Sequence, residues 1–188
     1  MSMPGYLPRT ALGVITGLFC ALAGCDSAPG GDAVEANPAG RLLASDVVQP
    51  QAECVVSEES DELADQLLRL VNRARFEAGA VTLDEELSAF AEAYACTMIT
   101  DDFFGHTHPK TGVGLAERAM AAEYNYLAVG ENLAAGIAAP EDVVEAWLGS
   151  AAHREIMLDP AFTRTGMAVR YGGENEVYWV QVFADPAD

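Results

Sequence analysis

Residues 165–184 read TGMAVRYGGENEVYWVQVFA, and this stretch decides the class of fold. Two runs rich in β-branched and aromatic residues flank GGEN, whose glycines suit a reversal, so the pair reads as an antiparallel β-hairpin. In the second run Val177, Trp179, Gln181 and Phe183 share one face, and Gln181 needs a polar partner if that face is buried. Upstream the period becomes helical. Leu63, Leu67, Leu70, Val71 and Ala74 recur at three- and four-residue spacing, predicting a helix that stops near Gly79. Asp84 is placed to cap a second helix over 85–100, with Leu87, Phe90, Ala91, Tyr94 and Met98 on one side. Pro140 opens a third, which buries Val144, Trp147 and Leu148. Ser150 then reads as the cap of a short helix carrying His153, ended by Asp159-Pro160. Several helices followed by antiparallel strands make an α+β layered domain.

That domain occupies only part of the 188 residues. After a lone Arg9, ALGVITGLFCALAG is an apolar run suited to a signal-peptide core and short of the roughly 20 residues that span a bilayer. It ends in Leu22-Ala23-Gly24-Cys25, which resembles a bacterial lipobox and implies cleavage after residue 24 and a lipid on Cys25. A plain secretory signal cut nearby is the alternative, giving a secreted soluble protein rather than a membrane-anchored lipoprotein of the cell envelope. Residues 25–53 are rich in Ala, Pro and Gly without a period and read as a flexible linker, about 30 Å in mean reach. The folded domain is expected over 54–188. Ten basic residues against 29 acidic ones give a net charge of −19, which excludes nucleic acid as a partner.

Export makes the cysteines informative. Cys20 leaves with the signal and Cys25 carries lipid, so Cys54 and Cys96 are the pair left in an oxidising compartment. They form either a disulfide, worth roughly 4 kcal/mol in the chain-entropy model, or two separate buried thiols.

No familiar catalytic motif is present: the chain has no HExxH, GxSxG, CxxC or phosphate-binding glycine loop. Two of its three histidines, His106 and His108, stand close together in FFGHTHPKTG, residues 103–112, and invite a local metal site. Residues two apart in a loop point in different directions unless the chain is extended, so the third histidine, His153, has to be considered with them. Ser150, three residues before His153, reads as a helix cap rather than a nucleophile. Asn132 suits a loop in which its amide bonds backbone groups that no ladder satisfies, and Trp147 and Trp179 read as core.

The order of motifs carries more than any one of them. FFGHTHPKTG, then LAERA with Arg118, VGENLAAG, VVEAWLGSAAHREIM, AFTRTGMAV and YWVQVF, preceded by LLRLVNRARFEAGAVTL, resembles the CAP superfamily of cysteine-rich secretory, antigen 5 and pathogenesis-related proteins, in its short bacterial branch. The resemblance implies a three-layer α-β-α sandwich with a small antiparallel sheet and a cleft on one side. It also implies that His106, Glu131 of GEN and His153 gather in that cleft. Ser150 stands where other branches place a second glutamate, which removes one carboxylate, and SAAHR replaces the family's SPGHR. His108 is left as a neighbour of the site.

Two imidazoles and a carboxylate suit zinc or another divalent ion in an open site. They equally suit a hydrogen-bonded cluster that holds the cleft wall together. Two functions follow as expectations. One is a non-enzymatic module that binds a small, lipid-like or peptide-like ligand, or a partner protein, at the cell envelope. The other is a metal-assisted hydrolase in which His106, Glu131 and His153 are ligands, or Glu131 acts as base on a bound water. The absence of a nucleophile paired with a base favours the first.

Overall fold

The structure is a computed structural model that describes residues 52–187. The expected signal peptide, Cys25 and the part of the expected linker before Ala52 lie outside the described residues. Among the described residues five helices and four strands follow one another as α1 (Ser60–Ala74), β1 (Thr82–Leu83), α2 (Glu85–Thr100), α3 (Leu115–Ala121), β2 (Tyr126–Ala135), α4 (Pro140–Gly149), α5 (Ala151–Leu158), β3 (Arg164–Tyr171) and β4 (Val177–Pro186). The sheet order is β1-β3-β4-β2. β3 and β4 form the expected hairpin, and β2 pairs antiparallel with β4's other side. The sheet is mixed rather than purely antiparallel, because the two residues of β1 pair parallel with β3. The chain reaches that edge from α1, on a different connection from the hairpin, so its direction is not reversed by a turn.

Alternation along β4 builds the layers. Val177, Trp179 and Phe183 pack with α1, α4 and α5, through Leu67, Val71, Val143, Trp147, Ile156 and Met157. Tyr178, Val180, Val182 and Ala184 face the other way, against Leu87, Ala91, Tyr94 and Met98 of α2 and Leu115 of α3. A sheet covered on both faces is the α-β-α sandwich. Asp84 caps α2 as expected, its carboxylate accepting from the Leu87 N–H at 3.0 Å. Ser150 occupies the N-cap position of α5, but its side chain makes no cap bond. Both tryptophans are core, and their indole N–H groups donate to the carbonyls of Leu133 and Ile137 at 2.9 and 2.7 Å.

Two close approaches fix how the outer elements sit. At Gly166 of β3 a Cβ would lie 2.1 to 2.4 Å from backbone atoms of Leu87 and Ser88, so only glycine lets α2 come this near the sheet. Cys54 and Cys96 are bonded, with Cα atoms 5.2 Å apart, tying the start of the domain to α2. The loop spans 42 residues, which gives the roughly 4 kcal/mol of the chain-entropy model.

Candidate functional site

VGENLAAG was expected as a loop, and the structure makes it the centre of β2, an edge strand of the sheet. Consecutive residues therefore point to opposite layers. Glu131 faces the layer of α2 and α3, and Asn132 faces α5, where its amide donates to the His153 carbonyl at 3.1 Å. The structural role expected of Asn132 holds, on a strand instead of a loop.

His106 comes from the segment between α2 and α3. Its Nδ1 lies 3.0 Å from Glu131 Oε1. His153 comes from α5 in the other layer, and the two imidazole centroids are 6.4 Å apart. So the edge of β2 is where residues of both layers meet: His106 and Glu131 touch directly, and His153 stands across from His106. His108 is outside this group. Its Nε2 meets Asp101 at 2.9 Å, and its Nδ1 accepts the N–H groups of Lys110 and Thr111 at 3.1 and 3.3 Å, so it shapes the loop.

Arg118 of α3 is the residue that sequence reasoning named only as a landmark. Its Nη2 donates to both carboxylate oxygens of Glu131, at 3.0 and 2.9 Å, and to the His106 carbonyl at 3.4 Å. Its Cζ lies 3.2 Å from the centroid of the Tyr94 ring. The Glu131 side chain is only 1% exposed and that of Arg118 12%. A buried carboxylate requires such a partner, and that requirement was the available signal for Arg118. Tyr94 completes the frame by donating to the Gly105 carbonyl at 2.5 Å. Burial pushes its hydroxyl up to about 12, with Arg118 opposing and Glu131 adding to the rise, so it stays a donor.

The expected metal triad of His106, Glu131 and His153 is not assembled in this arrangement. Glu131 already serves a guanidinium with both oxygens, and among the described residues no three His, Cys, Asp or Glu side chains converge to hold an ion. Ser150 is buried, and its hydroxyl has no hydrogen-bond partner among the described residues, so no base activates it as a nucleophile.

His153 is held below its ordinary value of 6.5, first by burial and then by the neighbouring His106. As the pH falls, the unfolded chain takes up that proton before the folded one. The stability from neutral His153 is therefore complete above 6.5 and is lost as the pH drops toward the folded-state value. Urea unfolding at about pH 7.5 and about pH 5.5 is expected to show this loss in the native chain and a smaller one in His153→Asn. Equal losses in both would rule His153 out as its source.

Over residues 68–183 the chain matches the model of the cysteine-rich secretory protein family, CAP. It is 32% identical over 120 residues to YkwD, an uncharacterized protein of Bacillus subtilis, covering 63% of this chain and 45% of that one. It thus spans under half of that relative's length. Similar solved structures include an outer surface protein of Borrelia burgdorferi (TM-score 0.62, 21% identity, 72% of this chain and 99% of that one). Another is an extracellular protein with an SCP domain from Bacillus anthracis (TM-score 0.58, 23% identity, 69% and 44%). These likenesses show the fold.

Proposed function

The chain belongs to the cysteine-rich secretory protein (CAP) family, and on that footing we propose that it is an exported binding module, tethered to a membrane through Cys25, whose cleft takes a small, lipid-like or peptide-like ligand without chemical turnover. The observation that carries the reading is the engagement of Glu131. Both of its oxygens are held by Arg118 and one also meets His106, so it is neither a free base nor a free metal ligand. The cluster is suited to holding the wall of a recognition surface. The ring of Phe104, two residues before His106 in the chain and 45% exposed, lies near the ring of Tyr178 and offers an apolar surface. Export is supported by the signal-like N-terminus and by similar structures described as extracellular or outer-surface proteins. No helix among the described residues is long and apolar enough to cross a membrane.

Zinc is the probe that separates this reading from a metal-assisted hydrolase. Calorimetry on the purified full chain is expected to give no heat that depends on His106. Tight zinc binding, lost in His106→Ala together with a zinc-dependent hydrolysis, would overturn the binding-module reading. The tether is tested separately: Cys25→Ala is expected to move the protein from the membrane to the soluble fraction, and a native chain already soluble would remove the anchor.

A further inference from the structure

Beneath the helix that carries His153, two carboxamides face each other across the sheet. Asn132 of β2 and Gln181 of β4 are directly opposite in the antiparallel register, so their side chains share a face and neighbour one another. Both residues are 0% exposed.

Partners fix which way each carboxamide points. Asn132 Nδ2 donates to the His153 carbonyl at 3.1 Å, and turning the group over would set two oxygens against each other. Gln181 Nε2 donates to Thr165 Oγ1 at 3.2 Å. The Thr165 hydroxyl proton is committed to the Val182 carbonyl at 2.9 Å, so Oγ1 accepts from Gln181 and cannot donate to it. Asn132 Oδ1 and Gln181 Oε1 are therefore both acceptors, and neither has a donor among the described residues. Two fully buried acceptors on neighbouring side chains, with no donor among the described residues, suit a small species with two protons to give.

We propose that Asn132 Oδ1 and Gln181 Oε1 form a binding site for one internal water molecule, which donates a proton to each and belongs to the seat of α5. A hard cation is a poor occupant, because such ions take about six or more oxygen ligands, carboxylates among them, and this pair offers two neutral ones. The water links β4, in the middle of the sheet, to the strand residue that holds the His153 carbonyl. Met167 of β3 stands on Gln181's other side in register, and the Thr165 hydroxyl of the same strand accepts from Gln181 Nε2 and gives its proton to Val182, not to Oε1.

The test uses the full chain with its disulfide. Water-selective cross-relaxation NMR is expected to show a long-lived water in contact with the side-chain amide protons of Asn132 and Gln181. A crystal structure is expected to place a water oxygen within about 2.7–3.2 Å of both acceptors. Acceptors bonded instead to protein donors, or no long-lived water at either amide, would overturn the proposal, and neither measurement needs a variant. In Gln181→Leu the amides of α5 are expected to exchange about tenfold faster while those of α2 do not. Asn132→Leu combined with Gln181→Leu is expected to raise the unfolding constant about tenfold less than the product of the two single effects. Independent effects of the two substitutions would count against a shared water.

Discussion

Replacing Arg75 with methionine is expected to lower the unfolding free energy by about 5 kcal/mol, because four backbone carbonyls lose a donor, of which that of Asp159 keeps the Phe162 N–H, and each buried orphan costs about 1–3 kcal/mol. Arg75 stands just past the end of α1 and is 1% exposed. Its guanidinium donates to the carbonyls of Gly79, Met157, Asp159 and Phe162. One planar fork thus joins the exit of α1 to the exit of α5 and the entry to β3, a job for five fixed donors. Burial lowers the Arg75 pKa, with Asp159 partly offsetting it, as expected of a cation held by dipoles more than by a carboxylate. Arg75→Lys keeps the charge and offers a compact ammonium in place of the fork, so it is expected to recover less than half of the loss. Urea unfolding of the two variants checks both statements, and a loss under about 1 kcal/mol in Arg75→Met would mean that water replaces the guanidinium at these carbonyls. Since whole domains are stable by about 5–15 kcal/mol, the larger loss would leave little folded protein.

Arg75 also shows where the sequence stops being readable. The hairpin, the cap at Asp84 and the helix opened by Pro140 were legible because each depends on neighbours within a few residues. β2 was not, since residues 129–134 are buried on both faces and the polar-apolar alternation that reveals a half-exposed strand is lost. Glu131 and Asn132 then looked like loop residues, although each is satisfied by a group from a different layer. His106, Glu131 and His153 could be named from the order of motifs, but the pairing of Glu131 with Arg118 is a fact of packing between α3 and β2. This pairing engages both oxygens of the carboxylate expected in the metal triad. The disulfide was one of two readings until the fold placed Cys54 beside Cys96.

Removing Arg118 is expected to cost about 3–5 kcal/mol, the usual penalty for stranding one member of a buried ion pair. In Arg118→Met the Glu131 carboxylate stays enclosed, 1% exposed, with only the Nδ1 of His106 against it. The His106 carbonyl loses a donor as well, and the ring of Tyr94 loses the guanidinium stacked on it. The loss should therefore appear in both stability and local order, with the NMR signals of the His106 ring shifting while those of His108, held by Asp101 on its own loop, stay in place. Adding Glu131→Gln removes the stranded charge, so the double variant is expected to be more stable than Arg118→Met alone, although it carries one more substitution. That inversion separates a buried charge from lost packing, since truncating Arg118 removes the same contacts in either background. A double variant less stable than the single one would show that Arg118 acts through its stack on Tyr94 and that Glu131 is satisfied by other means. The native pair would then no longer be the reason to read Glu131 as a structural carboxylate, and the proposed binding module would lose its main support.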